Sequence, residues 1–350
     1  MRRLPVYLLI DCSESMAGEA IQAVESGLNS LISFLRSDPY ALESVALSVI
    51  TFGNTAKQLV PLTDLTRFNM PDLVMGSGTA LGAALKLWEK CMDKEIAKST
   101  VERKGDFKPM CFIMTDGNPT DSWEAAANQI KSKISGRKAH VIAVGCGPDA
   151  SARTLGQITD EVLLAKDMNA ETLKQLFKWV SASVATASQA IETTGDARIN
   201  LEKLPTEYIE KASKTDMAKE ATEDQFVFLH SKCIESKGFY IMRFGRYETK
   251  KGLFGLRKGT AYVGVTSHPV NDFDLSSTGG ESDLKISVDQ LDMPPACPYC
   301  ANSDYGICAC GRIHCFPGNL EGTIELTCSW CSQTNTYGLV SGLDIGRGRG

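Results

Sequence analysis

The sequence predicts an α/β fold, a doubly wound and mostly parallel sheet, followed by a small β-rich domain of zinc-ribbon type. Three observations predict it. Over the first half, short aliphatic runs without helical period alternate with amphipathic segments, the pattern of buried parallel strands and their covering helices. The chain has 350 residues, 43% of them hydrophobic and 23% charged, which suits two globular domains and not a disordered chain. Seven of its 12 cysteines fall between Cys297 and Cys331, and clustered cysteines in a reducing compartment indicate metal in preference to disulfides. The 37 Lys and Arg against 42 Asp and Glu leave a net charge of −5, which argues against a protein that coats nucleic acid.

The first domain is expected over residues 1–190. Residues 5–11, 44–52, 110–115 and 140–144 read as buried parallel strands, 57–62 as a hairpin strand and 161–164 as a last strand. The start resembles a signal peptide only faintly, since its apolar stretch ends at Asp11 without a small-residue cleavage site. It reads as the first strand, and the protein is expected in the cytoplasm. Helical faces follow from Val24, Leu28, Leu31 and Leu35, from Leu81, Leu85, Trp88 and Met92, from Trp123, Ala127, Ile130 and Ile134, and from Leu173, Phe177, Val180 and Val184. Residues 191–223, rich in Thr, Lys and Glu, read as a polar linker, and 224–345 as the β-rich domain. Cys12, Cys91, Cys111, Cys146 and Cys233 stand singly and read as ordinary core or strand thiols.

Asp11-Cys12-Ser13-Glu14-Ser15 follows the first strand, where ligands of open α/β sheets bind. Thr79, in Gly76-Ser77-Gly78-Thr79, opens a helix, and Asp116 follows another strand end. Hydroxyls and carboxylates from three loops form a hard oxygen set suited to Mg²⁺. Taken singly, the same residues serve as helix N-caps or turn formers. Together, the Asp-x-Ser-x-Ser, the Thr turn and the Thr-Asp-Gly turn resemble the von Willebrand factor A domain, a Rossmann-like fold. The resemblance implies a metal-ion-dependent adhesion site of Asp11, Ser13, Ser15, Thr79 and Asp116. In that family the aspartates often act through water, and a partner's acidic side chain completes the shell.

The second motif set is Cys297-x-x-Cys300, Cys308-x-Cys310, His314-Cys315 and Cys328-x-x-Cys331. Paired knuckles of this kind point thiolates at a tetrahedral zinc ion, and the segment is too short to bury a sufficient core unaided. The eight candidates allow two ions. One ion held by Cys297, Cys300, Cys328 and Cys331 is the alternative, and His314 reads equally as ligand or exposed polar residue. The basic and aromatic residues from Phe239 to Lys258 read as a hairpin with a solvated turn or as a nucleic-acid surface.

A von Willebrand A domain joined to these knuckles resembles the longer TerY proteins of bacterial tellurite-resistance and chemical-stress gene clusters, whose C-terminal part binds metal. The resemblance implies a non-enzymatic signalling or phage-defence scaffold acting beside a serine/threonine protein kinase and a PP2C-type phosphatase. A metal-dependent phosphohydrolase or nuclease is the competing class. No Lys or Arg accompanies Asp11 and Asp116 in their loops to bind a phosphate, so a binding module is the expected reading.

Overall fold

The computed structural model describes residues 2–102, 104–115, 119–136, 139–146, 150–167, 169–194, 204–218, 226–247, 260–270, 285–316, 323–338 and 341–347. The chain divides into two compact units, Met1–Leu73 with Thr79–Ala221, and Val74–Gly78 with Thr222–Gly350. No helix among the described residues is long and apolar enough to cross a membrane.

The first unit is built on strands β1 (Leu4–Asp11), β2 (Val45–Phe52), β3 (Ala56–Asp64), β4 (Met110–Thr115), β5 (His140–Cys146), β6 (Val162–Ala165) and β7 (Ile209–Lys211). Their order in the sheet is β3-β2-β1-β4-β5-β6-β7. The contacts β2–β1, β1–β4, β4–β5 and β5–β6 are parallel, and the two edges, β3 and β7, are antiparallel. Strands β1, β2 and β4 are buried at every residue, which is why they read as unbroken aliphatic runs and not as alternating ones.

The helices of this unit are α1 (Glu19–Ser37), α2 (Pro39–Ser44), α3 (Leu81–Glu95), α4 (Glu124–Ser135), α5 (Ala152–Ile158), α6 (Ala170–Thr194) and α7 (Lys214–Ala218). Trp88, Leu85 and Leu81 of α3 join Ala127 and Ile130 of α4 and Leu155 of α5 over Tyr7, Leu9, Ile113 and Val141 of the sheet. Tyr7 and Trp88 meet edge to face at 6.3 Å. A second layer pairs α1 with α6, and Phe112 of β4 meets Trp179 of α6 edge to face at 6.4 Å. Glycine at 27 sets that layer's spacing, because a Cβ there would lie 2.0 Å from the Phe177 ring.

Residues 191–223 do not form a plain linker where they are described. Helix α6 runs to Thr194, β7 pairs with β6, and Ala212 and Met217 pack on the first core. Apolar anchors this sparse leave no period to read, yet the free backbone of β6 recruits Ile209–Lys211 as an edge strand.

The second unit holds a six-stranded sheet in the order β12-β10-β9-β8-β14-β13, built from β8 (Phe226–Lys232), β9 (Phe239–Arg246), β10 (Tyr262–Val270), β12 (Leu291–Asp292), β13 (Asp304–Ile307) and β14 (Ile313–Phe316). Two small antiparallel pairs accompany it, β11 (Lys285–Ser287) with β17 (Asp344–Gly346), and β15 (Ile324–Thr327) with β16 (Thr334–Tyr337). Its main core consists of Val227, Leu229, Tyr240, Met242, Phe244 and Leu291 with Cys233, Cys297 and Cys315 among them. Residues 250–258, expected as a basic turn, lie outside the described residues.

Replacing Gly27 by Ala is expected to force α1 and α6 apart and to cost about 1–3 kcal/mol of stability. Urea unfolding followed by circular dichroism checks this, and an unchanged midpoint contradicts the packing described.

Candidate metal centres

In the sheet of the first unit, strand order reverses between β1 and β4. The carboxyl ends of the two strands on either side of such a reversal diverge into loops that leave a crevice for a ligand. Asp11 ends β1 and Thr115 ends β4. Asp11 is buried, and both its carboxylate oxygens are engaged. Oδ1 accepts the Ser13 N–H at 2.9 Å and Oδ2 accepts the Thr115 hydroxyl at 2.5 Å. The Ser13 and Ser15 hydroxyl oxygens lie 3.0 Å apart, at the start of the 3₁₀ turn Glu14–Met16. Ser13, the N-cap of that turn, makes no side-chain capping bond, and the helix that follows is preceded by Gly18 and not by a serine.

Thr79 is held from the loop that follows β4. Its N–H donates to the Thr120 hydroxyl at 3.0 Å, and its carbonyl accepts the Thr120 N–H at 2.9 Å. One residue further, Asp121 accepts from Gly82 N–H at 2.9 Å and Ala83 N–H at 2.8 Å, closing the N-terminus of α3. Position 82 admits no side chain, because a Cβ would stand 2.7 Å from both the Ser122 carbonyl and the Trp123 Cα. The Thr79 Oγ1 itself is buried without a hydrogen-bond partner among the described residues. A buried hydroxyl left so costs free energy, and a bound cation would engage it.

The structure thus brings Asp11, Ser13, Ser15 and Thr79 to neighbouring loops tied to the end of β4. Asp116 lies outside the described residues. Thr115, Thr120 and Asp121 were not foreseen as positioning groups. Their bonds span 38 to 104 residues of sequence, and no local pattern announces them. The donor set is all oxygen, which fits Mg²⁺ or another hard divalent ion.

In the second unit the thiols gather into two groups of four: Cys233, Cys297, Cys300 and Cys315, and Cys308, Cys310, Cys328 and Cys331. Within each group all sulfurs lie within 4.8 Å of one another. Cys300 and Cys315 stand 3.5 Å apart, Cys308 and Cys331 3.7 Å, and Cys310 and Cys328 3.9 Å. Sulfurs about 2.3 Å from a tetrahedral zinc stand about 3.8 Å apart, and a disulfide needs about 2.0 Å. The spacing therefore fits a shared zinc ion and not a bridge.

The local cause is a turn used four times. Cys233 N–H bonds to the Gly238 carbonyl, Cys297 to Asn302, Cys308 to Arg312 and Cys328 to Gln333. Each turn passes through a left-handed residue, Lys237 (φ 61°), Ala301 (φ 60°), Gly311 (φ 78°) and Ser332 (φ 60°). Three of these are non-glycine residues in an uncommon conformation. Donors then surround the sulfurs: Ile234 N–H reaches Cys315 Sγ at 3.2 Å, Ser236 N–H reaches Cys233 Sγ at 3.4 Å, and the Asn335 amide reaches Cys308 Sγ at 3.4 Å. Such bonds favour thiolate and orient it for metal.

Burial resists ionisation of Cys233, but the hydrogen bonds from Ser236 and Glu235 outweigh it and bring the thiol down to about 7. Cys308 behaves alike, with burial opposed by the Cys310 N–H and the Tyr337 hydroxyl, and also falls to about 7. Burial pushes Cys315 up to about 11. Each tetrad thus holds one readily ionised sulfur, while burial raises Cys300 and Cys315 in the first and Cys310 and Cys328 in the second.

Two expectations need correction. Cys233 is no ordinary core thiol but a member of the first tetrad; its turn carries Ser236 where the Cys297 and Cys328 turns carry a second cysteine, so no Cys-x-x-Cys signal marks it. His314 belongs to neither tetrad and is not exposed. Its Nδ1 donates to the Cys315 carbonyl at 2.9 Å, its ring packs edge-on against Tyr337 at 4.9 Å, and burial lowers its pKa. The single-ion alternative is not the geometry observed either, since Cys297 and Cys300 lie in one group and Cys328 and Cys331 in the other.

Comparison with known proteins agrees with both halves. The family model for the von Willebrand factor type A domain matches residues 6–179, and that for the TerY-C metal binding domain matches 223–350. A search of curated proteins finds no match. Among solved structures, proximal thread matrix protein 1 from the mussel byssus is 20% identical over 53% of this chain and 48% of its own, with a TM-score of 0.40. A second structure of that protein, described as having a zinc-occupied MIDAS motif, is 19% identical over 53% and 48%, with a TM-score of 0.38. A von Willebrand factor type A protein from Catenulispora acidiphila is 18% identical over 53% and 43%, with a TM-score of 0.40. The chain spans about half the length of these solved proteins. The two family models between them take in both folded units, and the chain belongs to the TerY-type proteins, a von Willebrand factor type A domain joined to a TerY-C metal binding domain.

Proposed function

We propose that this chain is a non-enzymatic, metal-dependent interaction scaffold. Its first unit holds Mg²⁺, or another divalent ion, through Ser13, Ser15 and Thr79, with Asp11 and Asp116 acting through water. One position of the ion stays open to an acidic side chain of a protein partner. The observation that carries this reading is the buried, partnerless Thr79 hydroxyl, in a loop stitched to the same strand end that holds Asp11. Both Asp11 oxygens already accept hydrogen bonds, which suits a carboxylate that orients water more than one that binds the ion directly. The Thr115 hydroxyl bonds to Asp11, and the Ser13 and Ser15 hydroxyls lie together in the loop that follows it, groups suited to coordinating a hard cation.

Two zinc ions complete the second unit, one in each cysteine tetrad. The tetrads supply order that a domain this rich in short strands does not draw from its apolar core alone. The resemblance to TerY proteins supports a serine/threonine kinase and a PP2C-type phosphatase as partners, in a cytoplasmic tellurite-resistance, stress or phage-defence system. Nucleic acid and membrane are not among the partners proposed.

Three outcomes are expected. Asp11→Ala, or EDTA with the unchanged chain, abolishes capture of the candidate kinase or phosphatase that Mg²⁺ supports, and equal capture in Mg²⁺ and EDTA contradicts the docking role. Asp121→Asn loosens the seat of Thr79 and weakens Mg²⁺ binding about 10-fold by isothermal titration, with the fold intact by circular dichroism. Metal analysis finds two zinc ions per chain, matching the two tetrads. Cys233→Ser lowers that content while His314→Ala leaves it unchanged; the opposite pattern would return His314 to the ligand set.

A further inference from the structure

The two tetrads differ in what surrounds them. In the first, Cys233, Cys297 and Cys315 are buried and Cys300 is half-buried, all against the main core with Val227, Leu229, Tyr240, Met242 and Leu291. In the second, Cys310 is exposed and Cys331 half-buried. Its own apolar cluster contains, besides Cys308 and Cys328, one fully buried side chain, Tyr337, with Phe316, Ile324, Leu326 and Trp330 partly buried around it.

The second tetrad also carries more of the local fold than its neighbours can. It joins the turn at Cys308 to the turn at Cys328, which opens the β15–β16 hairpin. That turn presents Trp330, whose indole N–H donates to the Ile313 carbonyl at 2.6 Å and whose ring meets Phe239 edge to face at 5.3 Å. Lys232 and Arg312 lie against the Trp330 ring, 5.6 and 4.8 Å from its centre. The Ser329 hydroxyl donates to the Cys233 carbonyl at 3.1 Å, the point where the two tetrads touch through protein. A two-stranded hairpin with so little buried surface is marginal by itself, and an ion shared by the Cys308 and Cys328 turns would add to the contacts that dock it.

Resting on the zinc reading above, we propose that the second tetrad is a peroxide-sensitive latch: oxidation at Cys310 releases its zinc and undocks the β15–β16 hairpin with Trp330, while the first tetrad and the sheet stay intact. Peroxides are the oxidant class because their attack needs only an accessible thiolate. The Cys310 sulfur attacks one peroxide oxygen, the O–O bond breaks, and hydroxide leaves with a sulfenic acid formed. The Cys328 sulfur, 3.9 Å away, then displaces the second hydroxide to give a disulfide. Two thiolates are oxidised, one hydrogen peroxide is reduced, and two protons from solvent yield two waters. Only Cys308 and Cys331 would then remain as thiolates to hold an ion, too few to retain it. The first tetrad has no cysteine as exposed as Cys310 for the opening step.

The test uses the full zinc-loaded chain titrated with hydrogen peroxide. Zinc release is read by a chromogenic chelator, the disulfide by peptide mapping, and local order by hydrogen exchange. One zinc is expected to leave well before the second, with the first disulfide containing Cys310. Residues 323–337 then lose protection while β8 and β9 keep theirs, and reductant with added zinc restores the starting pattern. Simultaneous loss of both ions, first oxidation within the Cys233 tetrad, or a hairpin still protected after zinc loss overturns the proposal and leaves the zinc assignment standing. A chain that carries fewer than two zinc ions before peroxide overturns that assignment, and the latch with it.

Discussion

Four sulfurs within 4.8 Å of one another are too close for all to be ionised without a cation, and the pairs at 3.5–3.9 Å are too far apart to be bonded to one another. That constraint organises the second unit. Each tetrad draws turns from distant points of the chain to one place, and the turns in turn set which strands lie side by side. Cys315 stands on β14, whose neighbours are β8 and β13, so the first tetrad fixes sheet order as well as metal. The unusual left-handed residues at the knuckles are tolerated because the ligand geometry over-determines them.

The first unit meets a related demand with oxygen in place of sulfur. A strand-order reversal leaves a crevice between β1 and β4, and the loops there are cross-tied by Thr115, Thr120 and Asp121 before any ion arrives. Among the described residues, the buried Thr79 hydroxyl is left there without a hydrogen-bond partner. A site prepared in this way spends little on reorganisation when its ligand binds. The contrast with the second unit is one of degree: the oxygen site is held by a complete sheet, whereas the sulfur sites hold the sheet.

The sequence was legible wherever burial imposed a pattern. Strands β1, β2, β4 and β5 stood out because both their faces are covered, and α1, α3, α4 and α6 because each buries one stripe. The seven clustered cysteines announced metal for a chemical reason that needs no fold. Short elements such as α2, α5 and β13 left too few residues for a period. Ile209, Ala212 and Met217 were hidden in a polar stretch because three anchors do not make a repeat. Cys233 was missed since its knuckle spells Cys-Ile-Glu-Ser, and the feature it shares with the others is a backbone angle at Lys237. His314 shows the complementary failure: its chemistry permits ligation, but a ring direction set by the Cys315 carbonyl and Tyr337 cannot be read from spacing.

The distance along the chain between Cys233 and its partners has a consequence for how this domain tolerates change. Cys233 waits about sixty residues for Cys297, whereas the remaining seven ligands follow within a short compass. Closing a loop costs entropy that grows only with the logarithm of its length, about 0.6 kcal/mol for each doubling. Insertions between β9 and β10, or between β10 and β11, therefore leave the first tetrad nearly as easy to assemble as before. A single residue added between Cys308 and Cys315 would displace ligands of both ions at once. Variation in length across such proteins belongs in the first interval, and the second behaves as a fixed ruler.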